Sequence, residues 1–207
     1  MSAVYDYLFL TLKRAATPHP ALAAHLREVA GPAIAAAGGE IVGQFAPQLG
    51  WSNDEAAALV RWNGAPGDLT SVLASDPVES ARLDRLTPTL RPADTDRLAG
   101  GGIYVHRWFE VEAGAVDEFV ILSGEGWTRF EALFDARIFG LLRADPTPRD
   151  AEAGVTRLLL ITRYGDHGVW EASRDPTTEA MQIFARRQQL TRRSWAASTR
   201  LVTPGAL

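Results

Sequence analysis

The stretch IYVHRWFEV, residues 103–111, and the stretch VYDYLFLTL, residues 4–12, lie in opposite halves of a chain of 207 residues. Both are rich in β-branched and aromatic residues, and both begin with an apolar residue followed by tyrosine. Such composition is typical of β-strands, and each stretch precedes a segment with the apolar spacing of a helix. We interpret the two stretches as the opening strands of two repeats.

Both halves continue with the same predicted order of elements. The predicted helices cover residues 20–38, 69–86, 113–134 and 177–196, and the further predicted strands cover residues 40–48, 56–63, 89–92, 137–144, 155–165 and 199–204. In the first helix Leu22, Leu26, Val29 and Ala33 form the apolar face. Gly124 and Gly126 predict a kink or a break in the third helix, because glycine weakens helical structure.

This order, β-α-β-β-α-β in each half, is the ferredoxin-like topology. A four-stranded sheet with helices on one face leaves its other apolar face bare, and that face needs a partner. The sequence therefore predicts an α+β fold of two ferredoxin-like βαββαβ repeats, with antiparallel sheets packed face to face as an α/β barrel. The predicted domains are residues 1–92 and residues 103–207, joined by a linker over residues 93–102 that is rich in Gly and Asp.

Composition narrows the classes of function. Hydrophobic residues make up 46% and charged residues 22% of the chain, and the net charge is -4, which is typical of a globular protein without a nucleic-acid partner. We interpret the five arginines of ARRQQLTRRSWAASTR, residues 185–200, as surface residues. Cysteine is absent, which excludes disulfides and thiolate chemistry. The N-terminus lacks the pattern of a signal peptide or membrane span, so we predict a cytoplasmic protein without a membrane partner.

Residues 43–62, GQFAPQLGWSNDEAAALVRW, resemble the NIPSNAP branch of the dimeric α/β-barrel superfamily. The residues that fall on the pattern of that branch are Gly43, Phe45, Gly50, Asn53 and Trp62. The stretch 104–114 is similar to the opening strand of the family, with Arg107, Phe109 and Gly114 at matching positions and Val105 in place of a Glu. In the first half Asp6 keeps an acid at that position, while Leu8 and Leu10 replace the Arg and the Tyr.

The resemblance implies a pocket more than it implies a reaction. The superfamily contains cofactor-free monooxygenases, polyketide cyclases, isomerases, dehydratases and haem proteins. Because two repeats in one chain already complete a barrel, we predict a monomer or a homodimer.

His106 is the candidate acid or base. Along the strand, Tyr104, His106 and Trp108 share one face, and Tyr7 holds the matching position in the first half. If this face lines the barrel interior, His106 can exchange protons near neutral pH, with Tyr7, Tyr104 and Trp108 as substrate-binding residues. The alternative is a hydrogen-bonded core histidine.

Arg107 is the second candidate catalytic residue, and it lies on the other face among apolar residues. A buried guanidinium needs a partner. The candidate partners are Asp6, Asp117 and a substrate carboxylate or enolate. With a bound substrate, Arg107 or Tyr7 would stabilise a developing oxyanion.

No metal site or other cofactor is predicted, because the histidines lack the spacing of metal ligands. Haem through His106 or His167 stays open, although no sequence feature selects it. We predict a protein that binds a small apolar or aromatic ligand between the sheets, with metal-free acid–base catalysis of the isomerase, cyclase or cofactor-free monooxygenase type. The alternative is a non-catalytic binding or assembly module with a filled barrel core.

Overall fold

The computed structural model describes residues 3–74 and 76–202, without the side chains of residues 71 and 72. Two compact units form. The first contains the described residues up to Thr87 and those from Ser198 onward, and the second runs from Pro88 to Ala197.

The first unit is built around four strands with helices on one face. Its elements are β1 (Val4–Leu12), α1 (Pro18–His25), a π-helical turn (Leu26–Ala30), α2 (Gly31–Ala36), β2 (Gly39–Leu49), β3 (Glu55–Trp62), α3 (Thr70–Leu73) and β4 (Val78–Pro88). The strands are antiparallel in the order β4-β1-β3-β2, and residues 198–201 pair with β2. A first strand that lies between the third and the fourth is typical of the ferredoxin-like fold.

The helical segment after β1 packs on the sheet with a different face from the one predicted. Its buried apolar side chains are Leu22, Leu26, Ala30 and Ile34, whereas Val29 is 54% exposed and Ala33 is also exposed. The N–H of Gly31 donates to the carbonyl of Leu26, which widens the helix by one residue at this point. Because of this turn, the apolar face continues through Ala30 rather than Val29.

The second unit follows the same order with additional short helices. Its elements are β5 (Ile103–Glu112), a 3₁₀ turn (Ala113–Ala115), α4 (Val116–Leu133), β6 (Ala136–Ala144), α5 (Pro148–Ala153), β7 (Val155–Tyr164), α6 (His167–Ala172), α7 (Glu179–Gln188) and β8 (Thr191–Leu201). The strand order is β8-β5-β7-β6, again with the first strand between the third and the fourth. That the two units are repeats of one another stays a prediction.

Helix α4 is continuous, so the predicted break at Gly124 and Gly126 is wrong, while a kink there stays a prediction. Both glycines serve close packing instead. A side chain at Gly126 would overlap the ring of Phe184 in α7, and one at Gly124 would lie 2.6 Å from a terminal methyl of Leu90. The missing side chain at Gly126 lets α7 approach α4. The apolar face of α4 packs on the sheet through Val116, Phe119, Trp127 and Phe130.

Two predicted helices are wrong in part. Residues 69–86 contain only the four-residue α3 before β4 begins, and the predicted helix 177–196 ends in α7 before β8 begins at Thr191. In both places the first strand of the unit offers an unpaired edge, and pairing with it outweighs local helix propensity. Residues 89–92 form no strand, and residues 203–204 of the last predicted strand lie outside the described residues.

Within the described part of the chain, no helix combines the length and the apolar character needed to cross a membrane.

Candidate functional site

Strand β5 presents two different faces. Ile103, Val105, Phe109 and Val111 pack against the helices of the second unit, and Arg107 lies on the same face. Tyr104, His106 and Trp108 lie on the opposite face, as side chains alternate along a strand. The structure therefore separates the two candidate catalytic residues, His106 and Arg107.

His106 is enclosed by protein, with 1% of its surface exposed. On the neighbouring strand it lies opposite Ile161. Burial lowers its pKa to about 3, because an apolar environment disfavours the charged imidazolium. His106 is therefore neutral at physiological pH and is a weak base.

The predicted substrate-binding residues beside His106 contact groups of the protein itself. The hydroxyl of Tyr104 donates a 2.6 Å hydrogen bond to the carbonyl of Ala99. The ring of Trp108 stacks on that of Trp195, with ring centroids 6.4 Å apart, and the guanidinium of Arg157 lies 5.5 Å from the Trp108 ring. These contacts fix both side chains within the unit.

Tyr7 belongs to the first unit. Its side chain is fully buried on β1, where it lies opposite Leu59 of β3 and Asp84 of β4. Burial raises the pKa of its hydroxyl well above the ordinary value, while the charge of Arg82 opposes that shift. The phenol therefore stays protonated.

The second unit holds a cavity of ≈ 420 Å³ on the helix side of its sheet, which we call the helix-side cavity. Strands β5, β6 and β7 contribute one wall, and α4, α7 and the segment between α6 and α7 contribute the other. Its lining residues are Arg107, Phe109, Trp127, Phe130, Ile138, Leu160, Thr162, Tyr164, Ser173, Arg174, Pro176, Met181, Gln182, Phe184, Ala185, Arg187 and Gln188. This volume lies in the range of small-molecule sites, roughly 300–1,000 Å³.

Arg107 lines this cavity, and its guanidinium forms no hydrogen bond or ion pair with any residue in the described ranges 3–74 and 76–202. Asp117, the candidate partner in the same unit, therefore forms no ion pair with Arg107. Asp6 instead accepts hydrogen bonds from Trp62 and Arg85 of its own unit. Burial lowers the pKa of Arg107, and the positive charge of Arg174 lowers it further.

Arg187 is a buried arginine that the sequence interpretation assigned wrongly to the surface. Only 7% of its surface is exposed. Its guanidinium lies 5.0, 5.1 and 4.5 Å from the ring centroids of Phe109, Phe119 and Phe184, and it donates a 3.2 Å hydrogen bond to Ser123. Burial lowers its pKa to about 9, and the charge of Arg107 acts in the same direction.

Sequence reasoning thus found Arg107 but missed Arg187, Arg174 and Tyr164. A signal for Arg187 was present, because Ala180, Phe184 and Arg187 share the spacing of one helix face. Tyr164 ends β7 inside the apolar cluster, and burial raises the pKa of its hydroxyl. No sequence pattern marks Arg174, which follows α6 in a loop.

The residues of the helix-side cavity do not fit haem. Its described lining contains no histidine or cysteine, and its tyrosine, Tyr164, retains its proton because of its raised pKa. His106 lies on the other face of the sheet, and His167 begins α6 outside the cavity. Among residues 3–74 and 76–202, no three His, Asp or Glu side chains are grouped so as to hold a metal ion.

No protein-family model matches this sequence, and no curated protein matches it either. Solved structures do match. A candidate monooxygenase from Lactobacillus acidophilus NCFM is 12% identical, with a TM-score of 0.58, over 100% of this chain and 99% of its own. An anthrone oxidase-like protein is 15% identical, with a TM-score of 0.62, over 98% of this chain and 92% of its own.

A third match is a ferredoxin-fold protein from Listeria monocytogenes 4b F2365 that is related to antibiotic biosynthesis monooxygenases. It is 9% identical, with a TM-score of 0.51, over 98% of this chain and 96% of its own. These neighbours have the ferredoxin-like fold of the dimeric α/β barrels, so the predicted fold class is confirmed. At such identities the similarity shows the fold alone.

Proposed function

We propose that this protein binds a small aromatic molecule in the helix-side cavity of its second unit. The observation that carries the proposal is the cavity itself, which has the volume of a small-molecule site and walls formed by Phe109, Trp127, Phe130 and Phe184. Aromatic walls favour a flat ligand, because aromatic rings pack in offset stacks or edge to face. The hydroxyls of Tyr164, Ser173 and Thr162 offer polar contacts that would orient it.

This site differs in position from the one expected between the sheets. We place the ligand on the helix side because the described cavity with aromatic walls lies there, while Trp108 and Tyr104 contact protein groups. The fold neighbours include a candidate monooxygenase and an anthrone oxidase-like protein, which supports chemistry on a bound ligand as part of the proposal. That this chemistry needs no metal is part of the proposal that comes from the sequence alone. In such a reaction Arg107 would stabilise a developing oxyanion.

Two further predictions stay proposals. The first is the resemblance of residues 43–62 to NIPSNAP proteins, which supports a barrel-type binding protein. The second is the acid–base role of His106, with Tyr7, Tyr104 and Trp108 as substrate-binding residues. That role needs a ligand on the face of β5 opposite to Arg107, and the buried neutral state of His106 argues for a structural role.

The test uses 1-naphthol as a neutral aromatic probe and isothermal titration calorimetry as the measurement. Ala185 lines the opening of the cavity on α7 and is exposed, so Ala185→Trp fills the entrance without disturbing the core. We expect saturable binding at one site, weakened about tenfold or more in this variant, since the ligand loses the space it occupies.

Gln189→Trp provides the matched control, because Gln189 is exposed at the end of the same helix and does not line the cavity. It should bind the probe like the unaltered protein. Lack of saturable binding, or equal binding by all three proteins, would overturn the proposal and favour the alternative of a module with a filled core.

A further inference from the structure

The charged residues of the helix-side cavity all have the same sign. Arg107, Arg174 and Arg187 line it, and no Asp or Glu is among its described lining residues. The chain as a whole carries a net charge of -4, so the cavity differs sharply from the average of the protein. Three guanidinium groups around one cavity attract an anion and repel a cation.

The three arginines are close enough to affect one another. The charge of Arg174 lowers the pKa of Arg107, and the charge of Arg107 lowers the pKa of Arg187. Arg107 is therefore within electrostatic range of both other arginines, and all three line the same cavity. Like charges in a partly buried site raise the free energy of the protein until an anion neutralises them.

The arginines are also not neutralised by the protein. Arg107 and Arg174 form no ion pair with any residue in the described part of the chain, and the hydrogen bond of Arg187 is to the uncharged hydroxyl of Ser123. By contrast, Arg91 and Arg157 of the same unit each pair with a carboxylate, at 2.8 and 2.9 Å. The missing carboxylates at the cavity indicate that a ligand supplies the negative charge.

The phenylalanine rings hold Arg187 in place. Phe109, Phe119 and Phe184 surround its guanidinium and keep its donors fixed near the cavity. A planar guanidinium matches a planar carboxylate, which can accept two parallel hydrogen bonds. The rest of the lining is largely apolar and aromatic, which suits the body of the ligand.

We propose that the ligand of the helix-side cavity is an aromatic carboxylate, held at its carboxylate by Arg107 between Arg174 and Arg187. This inference rests on the proposed function and names the chemical class of its ligand. It assigns Arg107 the role of the anion anchor, which a neutral aromatic molecule would not use.

The experiment compares 2-naphthoate with 2-naphthamide, which has the same shape but no charge. In calorimetric titrations we expect the acid to bind at least about tenfold more tightly than the amide, since hydrogen bonds between charged groups are stronger than those between neutral groups. Arg107→Gln should abolish this preference, so that the acid binds no more tightly than the amide. Because the guanidinium of Arg107 makes no hydrogen bond or ion pair within the described residues, we expect this variant to keep the fold.

Arg186→Gln is the matched control, since Arg186 is exposed beside Arg187 and does not line the cavity. It should keep the preference for the acid. Arg174→Gln should reduce the preference, which gives a second variant at the exposed edge of the site.

The failures can be told apart. If the amide binds and Ala185→Trp blocks it, but the acid binds no better, the carboxylate inference is wrong and the binding site stands. If neither compound binds, both proposals are wrong. An acid preference that survives Arg107→Gln also overturns the inference.

Discussion

Replacing Asp6 with alanine should destabilise the first unit more than most single substitutions. Asp6 is completely buried, and both oxygens of its carboxylate are used. Oδ2 accepts a 2.8 Å hydrogen bond from the indole of Trp62, and Oδ1 accepts a 3.0 Å hydrogen bond from Nε of Arg85. The substitution leaves the buried Trp62 N–H without this acceptor and Arg85 without this carboxylate.

The magnitude follows from the two bonds. A buried donor that loses its acceptor costs about 1–3 kcal/mol. The side chain of Arg85 is 38% exposed, so water can replace the carboxylate there, and loss of that pair costs about 0.5–1 kcal/mol. We therefore expect Asp6→Ala to lower the free energy of unfolding by about 1.5–4 kcal/mol. Asp6→Asn keeps one oxygen acceptor for Trp62 and should lose about half as much.

Equilibrium unfolding in urea, followed by far-UV circular dichroism, measures these differences. Asp54→Ala is the matched control, because Asp54 is an exposed loop residue, and its effect should stay within about 0.5 kcal/mol. The reasoning is refuted if Asp6→Ala costs no more than this control, or if Asp6→Asn costs as much as Asp6→Ala.

Two further predictions concern the second unit. The unfolded chain takes up a proton at His106 near pH 6.5, whereas the folded chain does so only near a pKa of about 3. The free energy of unfolding should therefore fall as the pH drops from about 6.5 to about 3. His106→Gln should reduce the slope of the unfolding free energy against pH by up to about 1.4 kcal/mol per pH unit. Urea titrations that give the same slope for the variant and the unaltered protein would contradict this. Gly124→Ala should stabilise α4 by up to about 1 kcal/mol, because the exposed Leu90 can move aside. Gly126→Ala should destabilise α4 by about 1–3 kcal/mol, because the packed ring of Phe184 cannot move freely. Thermal unfolding that shifts the melting temperature in the same direction for both variants would argue against this account.

Three features were predicted well from the sequence: the opening strand of each half, the strands that follow the first helix of each half, and the order of helices and strands. These elements carry strong local signals, such as the β-branched run of β7 and the alternation of β5. The errors occurred where distant contacts outweigh local preference. Residues 78–88 became a strand because β1 offers an edge, and Gly126 lies in an unbroken helix because α7 packs against it.

The site was harder to predict than the fold. Alternation along β5 correctly separated His106 from Arg107, but it could not show which face borders a cavity. The cavity brings Arg107 together with Tyr164, Arg174 and Arg187. In the sequence, at least two helices or strands lie between Arg107 and each of these residues. Only the fold brings such residues together, and arginines on a late helix resemble solvated ones until packing is known.

The short helix α3 bears on the number of ligands that one chain can carry. In the second unit the ten-residue α7 supplies Phe184 and Arg187, whereas the corresponding place in the first unit holds only four helical residues. On β1 the place that matches Arg107 is taken by Leu8, which is buried in an apolar cluster. The binding stoichiometry should therefore be one ligand per chain, and a calorimetric titration gives this number directly from its midpoint.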